Sequence, residues 1–141
     1  MSDKSFLDTN VIVYAFDQKE PKKAQIAQML IKRGAAENQA IISYQVIQEF
    51  LNVALRGFRI SLVPADLESF IFGALFPMAK ISWSPALTME ALRIHAAHRL
   101  GWYDSLIVAA AQQGNCKILY SEDLQHEQRF GDLTIRNPFA V

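Results

Sequence analysis

SFLDTNVIVYAF, residues 5–16, starts as a buried strand and is then interrupted by a carboxylate, a hydroxyl and an amide at Asp8, Thr9 and Asn10. Two readings of Asp8 follow. It caps the short helix predicted over Asn10–Phe16, since an Asp side chain satisfies the first free N–H groups of a helix. Alternatively, it stands at the strand end because a site needs a carboxylate there. Whether other carboxylates return to the same place decides between them.

The chain has 141 residues, of which 51% are hydrophobic, enough for a sizeable core. Its length fits one domain, over residues 1–141. Lys and Arg together number 14, as do Asp and Glu, so the formal net charge is zero. Global charge therefore points to no polyanion, and any nucleic-acid site must be a local basic patch. Cys116 is the single cysteine, which excludes an intrachain disulfide and a cysteine-based zinc site. At the head of the apolar run CKILY it reads as a small buried packing residue. The opening MSDKSF has no basic segment leading into an apolar stretch, and no apolar run reaches the ~20 residues of a membrane helix. A soluble, cytoplasmic chain without a signal peptide is expected.

Strand-like and helix-like segments alternate along the sequence. Strands are predicted at Ser5–Leu7, in AIIS (Ala40–Ser43), in KISWS and CKILYS, and in LTIRN. Pro21, suited to a first helical turn, opens a helix expected to run to Arg33 and stop at Gly34. Val46, Ile47, Phe50, Leu51 and Ala54 form the stripe of a helix over Tyr44–Leu55, with Gly57 as its stop. Further helices are expected over Pro64–Phe76, Pro85–His98 and Trp102–Gly114, the last apolar on nearly every face and so central. Without tight hairpin signals between the strands, this alternation predicts a three-layer α/β/α domain with a mainly parallel sheet. In such sheets the site lies beyond the carboxyl ends of the strands.

The acids fall along that edge. Asp8 ends the first strand, Glu122 and Asp123 follow KILYS, Asp104 stands in the first turn of the apolar helix, and Glu49 lies in the helix after AIIS. Singly, each has a bland reading as a cap, a dipole-favoured acid, a solvated face or a turn. Gathered in one cleft they repel, and a cation is needed to hold them. Hard oxygen ligands suit Mg²⁺ or Mn²⁺, which can lower the pKa of water and stabilise charge on a leaving oxygen. The chemistry indicated is metal-assisted phosphodiester hydrolysis.

Four stretches, FLDTNVIVYAFD, YQVIQEFLNV, WYDSLIVAAA and ILYSEDLQHEQRFGDLTIRNPF, together cover nearly the whole chain and resemble a PIN domain, the small nuclease fold of VapC-type toxins. The resemblance implies Asp8, Glu49, Asp104 and Asp123 as the acidic metal site, with Asn10 at the polar position of the opening motif. Ser121 matches the hydroxyl position before the last acid. It further implies an endoribonuclease using Mg²⁺ or Mn²⁺, a small antitoxin partner, and a homodimer. Thr9 and Asn10 are then expected to hold the orientation of Asp8. The motif favours Asp123 as fourth acid, leaving Glu122 as a supporting acid or a solvated neighbour; Asp132 reads as a turn residue.

Other residues stay open. Arg56, Arg59, Arg99 and Arg129 are candidate phosphate contacts or plain surface charge. Trp102 and Tyr103 either stack on an unpaired base or pack around a helix entrance. The apolar segment from Leu62 to Trp83, with Phe70, Ile71, Phe72, Leu75 and Phe76, divides between core and a dimer face or partner groove. His95 and His98 read as packing or surface residues, and His126 as a solvated loop residue or a substrate contact. Competing functions are a nuclease or phosphoesterase acting on DNA or small esters, and a catalytically silent binding module. A phosphotransferase with Asp8 as nucleophile would want a second acid two residues on, where Asn10 stands.

Overall fold

The computed structural model describes residues 3–140, so the ends of the expected 1–141 domain lie outside the described residues. Its elements are β1 (Ser5–Leu7), α1 (Thr9–Tyr14), α2 (Pro21–Glu37), β2 (Ala40–Ser43), α3 (Tyr44–Arg56), α4 (Pro64–Phe70), a π turn (Ile71–Leu75), α5 (Phe76–Met78), β3 (Ala79–Ile81), α6 (Pro85–His98), α7 (Trp102–Gln113), β4 (Ile118–Tyr120), β5 (Arg129–Phe130) and β6 (Leu133–Arg136). The strands form one sheet in the order β3-β2-β1-β4-β6-β5. All neighbours are parallel except β5 and β6. Every residue of β2 is buried, as a central parallel strand covered on both faces must be. Among the described residues no helix is long and apolar enough to cross a membrane.

The chain leaves β1 toward β2 and β3 on one side and returns to β4 on the other. That reversal opens a crevice at the carboxyl ends of β1 and β4, the position where open α/β sheets bind ligands. Phe6, Leu7, Ile12, Ile42, Ile47, Phe50, Ile107, Leu119 and Ile135 are all at most 2% exposed beneath it. Helix α7 is buried at Ser105 and from Ile107 to Ala111, as its apolar faces require. Cys116 is buried among apolar groups, and its thiol is pushed up to about 11 by that burial.

Four expectations are corrected. Gly34 does not stop α2, which runs on to Glu37 and ends at Asn38 in the left-handed conformation. A Cβ on Gly34 would lie 2.2 Å from that of Ala40, so this glycine serves close helix–strand packing instead. The first helix is Thr9–Tyr14, beginning one residue before and ending two before the expected Asn10–Phe16. The Pro64–Phe76 helix is split: at its π turn the Phe76 N–H donates to the Ile71 carbonyl, a wider loop just before Pro77, which has no N–H to give. Finally, a tight hairpin does occur. Phe130 pairs with Leu133 across Gly131-Asp132, and Gly131 takes a φ of +62° that side chains disfavour. Asp132 is thus the turn residue that was expected.

The apolar segment from Leu62 to Trp83 divides. Phe70 packs edge-on to Phe16, with ring centroids 4.7 Å apart, and Leu75 is fully buried, whereas Phe72 and Trp83 are exposed.

Candidate active site

β1 ends where the Asp8 N–H donates to the Tyr120 carbonyl at 3.0 Å, the last link between β1 and β4. The chain then turns into α1 with Asp8 as N-cap. Its Oδ1 accepts from the Thr9 N–H at 2.7 Å and its Oδ2 from the Ser121 hydroxyl at 2.8 Å. Asp8 is only 5% exposed, and both readings of it meet in this geometry. It caps the helix with one oxygen, while the other is tied to the end of the neighbouring strand.

Ser121, fully buried, also accepts from the backbone N–H groups of Asp123 and Leu124, at 3.2 and 3.4 Å. One hydroxyl thereby fixes the turn after β4 against the carboxylate after β1. Glu49 enters from α3, which packs on α1. Its Oε1 accepts from the Thr9 hydroxyl at 2.6 Å and its Oε2 from Gln45 Nε2 at 3.4 Å. Asp104 arrives on the first turn of α7, where the helix dipole favours an acid.

Asp8, Glu49, Asp104 and Asp123 line one open cavity of about 310 Å³, together with Asn10, Asn52 and Arg59. The acids sense one another. Asp8 is pushed up to about 7, chiefly by burial, against the pull of its bonds to Ser121 and Thr9, with Glu49 and Asp123 adding repulsion. Asp104 is also raised, first by burial and then by Asp123 and Glu49. Little positive charge answers them: of the four candidate arginines only Arg59 lines the cavity. Even its guanidinium is 3.5 Å from Asp17 Oδ2 and 4.5 Å from the centre of the Tyr14 ring.

Glu122 goes elsewhere. Its Oε1 accepts from the Tyr14 hydroxyl and its Oε2 pairs with Lys23, both at 2.6 Å. Burial opposes its charge, but the bonds from Lys23 and Tyr14 outweigh that and hold its pKa below the ordinary range. Asn10 does not orient Asp8. Its Oδ1 accepts from the Glu122 N–H at 3.5 Å, and its buried Nδ2 has no partner among the described residues. The backbone of Thr9 orients Asp8, and its hydroxyl serves Glu49.

Sequence reasoning missed Gln45, Asn52 and Asp17. Gln45 and Asn52 lie four residues before and three after Glu49, on the same helical face, which is a signal that was available. Buried Asp17 carried none, because its partner Arg59 is remote in sequence. The histidines do not line the cavity: His95 bonds the Leu100 carbonyl, His98 packs on Phe130, and His126 accepts from the Asn137 N–H.

The donor set consists of carboxylate oxygens with a nearby amide, which suits a hard divalent cation and not a soft one. Burial and mutual repulsion drive Asp8 and Asp104 toward protonation, a strain that a cation relieves. As the side chains stand, no three Asp, Glu, His or Cys among the described residues are close enough to hold one ion. The residues fit a divalent ion in chemistry, and all four acids line the one cavity where it would sit.

This chain belongs to the PIN domain family, whose family profile matches residues 5–129. Among solved structures it is similar to a toxin–antitoxin complex from Klebsiella pneumoniae, with a TM-score of 0.68 and 18% identity, over 98% of this chain and 100% of that one. It is also similar to VapBC2 from Rickettsia felis bound to a DNA fragment from its promoter, with a TM-score of 0.63 and 19% identity, over 94% of this chain and 96% of that one. No curated protein is matched by sequence.

Proposed function

We propose that this PIN domain is a metal-dependent endoribonuclease, the toxin of a toxin–antitoxin pair. The observation that carries the reading is the single cavity lined by Asp8, Glu49, Asp104 and Asp123 with almost no cation to balance them. Unpaired, partly buried acids destabilise a fold and are tolerated where a bound cation completes them.

Asp8, Glu49, Asp104 and Asp123 would hold Mg²⁺ or Mn²⁺, which supplies positive charge to the scissile phosphate and makes water a better nucleophile. The protein's own groups do the rest. Ser121 and the Thr9 N–H fix the Asp8 carboxylate, while the Thr9 hydroxyl and Gln45 fix that of Glu49. Such orientation is worth about 10–100-fold in metal affinity or activity. One carboxylate of the set takes the proton of the attacking water. Arg59, at the cavity wall, offers a guanidinium to a phosphate oxygen. Attack by water on the phosphorus, with the bond to the 3′-oxygen breaking and that oxygen leaving as the 3′-hydroxyl, gives a 5′-phosphate and a 3′-hydroxyl.

The partner assignment leans on the two structural neighbours, each solved with or named for an antitoxin complex. A homodimer belongs to the same proposal, and sedimentation of the purified chain checks it. The activity test is incubation of the partner-free chain with a total-RNA pool in Mg²⁺, Mn²⁺ or EDTA, followed by mapping of the ends. Discrete metal-dependent fragments with 5′-phosphates are expected. A 2′,3′-cyclic phosphate formed in EDTA would contradict the mechanism, and equal cleavage of single-stranded DNA would contradict the RNA assignment.

A further inference from the structure

A second pocket, of about 180 Å³, opens on the same edge of the sheet, at the carboxyl ends of β2 and β3. Its floor is apolar, with Ile81, Leu87 and Ala110, and three aromatic residues line it. Tyr44 opens α3, Trp83 lies between β3 and α6, and Tyr103 is the second residue of α7. They are 53%, 73% and 65% exposed. Large aromatic side chains left in water around a small pocket are unusual for packing residues, which would have been drawn in. The Trp102–Tyr103 pair therefore divides: Trp102 packs against the core, and Tyr103 lines the pocket.

The pocket also has polar groups in waiting. Ser43 is 3% exposed, lines the pocket, and its hydroxyl has no partner among the described residues. It stands at the N-cap of α3 without capping it. A buried hydroxyl left unpaired is costly, which makes it a marker for a missing partner. Gln45 joins this pocket to the acid cavity. Its Nε2 donates to Glu49 Oε2 at 3.4 Å and to the Tyr103 carbonyl at 3.2 Å. Tyr103 itself is followed directly by Asp104.

We propose that this pocket takes one unpaired base of the RNA strand whose backbone is cut in the acid cavity, and that it sets base preference beside the scissile bond. The proposal rests on the RNA-cleavage reading above. Single-stranded RNA is read by stacking its bases on aromatic rings and by bonding their edges. Tyr44, Trp83 and Tyr103 supply the rings; Ser43, which can both donate and accept, bonds the edge. A pocket well below the ~300 Å³ of ordinary small-molecule sites admits a single ring system and not a larger ligand. Continuity with the carboxylates through Gln45 favours a nucleotide of the substrate over a separate ligand.

The test uses the full chain in EDTA, titrated with adenosine, guanosine, cytidine and uridine while the Trp83 indole and the Tyr44 and Gln45 amides are followed by NMR. Neutral nucleosides avoid repulsion by the acids. Saturable shifts at these signals, larger for one base than for the others, are expected. Trp83→Ala should weaken that binding by ~5- to 100-fold, the usual worth of one stacked base. Ser43→Ala should leave binding in place and level the preference. No shift with any nucleoside would overturn the proposal, as would binding unchanged when Trp83→Ala and Tyr103→Ala are combined. So would the same shifts produced by raising protein concentration alone, which would make the pocket a self-association face. RNA cleavage without nucleoside binding would defeat this inference and spare the activity. Nucleoside binding by a chain that cuts no RNA would keep the pocket and remove the activity.

Discussion

Glu122 and Asp123 are adjacent in sequence and have opposite surroundings. Glu122 sits in a neutralised cluster: Lys23 and Tyr14 bond its carboxylate, and Lys23 lies 4.6 Å from the Tyr14 ring centre and 5.5 Å from that of Phe139. Asp123 faces a cavity with three other acids and one distracted arginine. The same backbone turn, pinned by Ser121, feeds both. The fold could answer the charge of Glu122 and leaves that of its neighbour unanswered. An ion-paired cluster ties α1 and α2 to the turn after β4, whereas the unbalanced one is where the proposed function puts a divalent cation.

The largest effects should fall on the unbalanced side. Divalent charge stabilisation is worth several kcal/mol in the transition state, so Asp104→Asn should lower the RNA cleavage rate by roughly 1,000-fold or more, with folding intact by circular dichroism. Full activity in that variant would make the two clusters equivalent and end the comparison.

Asp8 sharpens it through pH. Its folded pKa is raised above the unfolded value, so the carboxyl adds no penalty below about pH 4. Stability is lost as pH rises through about 7. The loss in metal-free protein is roughly 4 kcal/mol at most above that pH. In EDTA, Asp8→Asn should therefore melt higher than wild type at pH 8 and converge with it near pH 4, while losing activity. Parallel melting curves at all pH values would show that Asp8 is not under this strain.

Thr9→Val removes the hydroxyl that holds Glu49 without touching a cavity acid. Cleavage should fall by ~10–100-fold, rescued by Thr9→Ser. If the serine variant is as poor as the valine one, packing and not the hydrogen bond is responsible. The smallest effect belongs to the neutralised side. Lys23→Met leaves Glu122 partly open to water and should cost no more than ~1 kcal/mol in urea unfolding, with cleavage nearly unchanged. A large activity loss there would mean that Glu122 belongs to the chemistry.

Much of this was legible in the sequence because apolar runs and helical stripes report burial directly. Helix Pro85–His98 and strand Ala40–Ser43 lie where the pattern predicts them. The misses have physical causes. Gly34 looks like a stop, yet its missing side chain makes room for Ala40, a contact that local sequence does not reveal. The two-residue strand β5 is too short to carry a period. For the site, the sequence named the acids along the sheet edge. Its motif favoured Asp123 over Glu122 but gave no physical ground for it, since that ground lies in Lys23 and Tyr14, about a hundred residues away. Nor did it foresee the Ser43 pocket, which forms only when β2, β3 and α7 meet.

The most direct test is a thermal melt of the purified chain against rising Mn²⁺, beside Asp8→Asn and Asp104→Asn. If the unbalanced acids await a divalent cation, wild type should gain stability with the logarithm of free Mn²⁺, by about 2.7 kcal/mol at a hundredfold excess over its dissociation constant, and the variants should gain far less. An equal gain in all three, or none in wild type, would contradict the account.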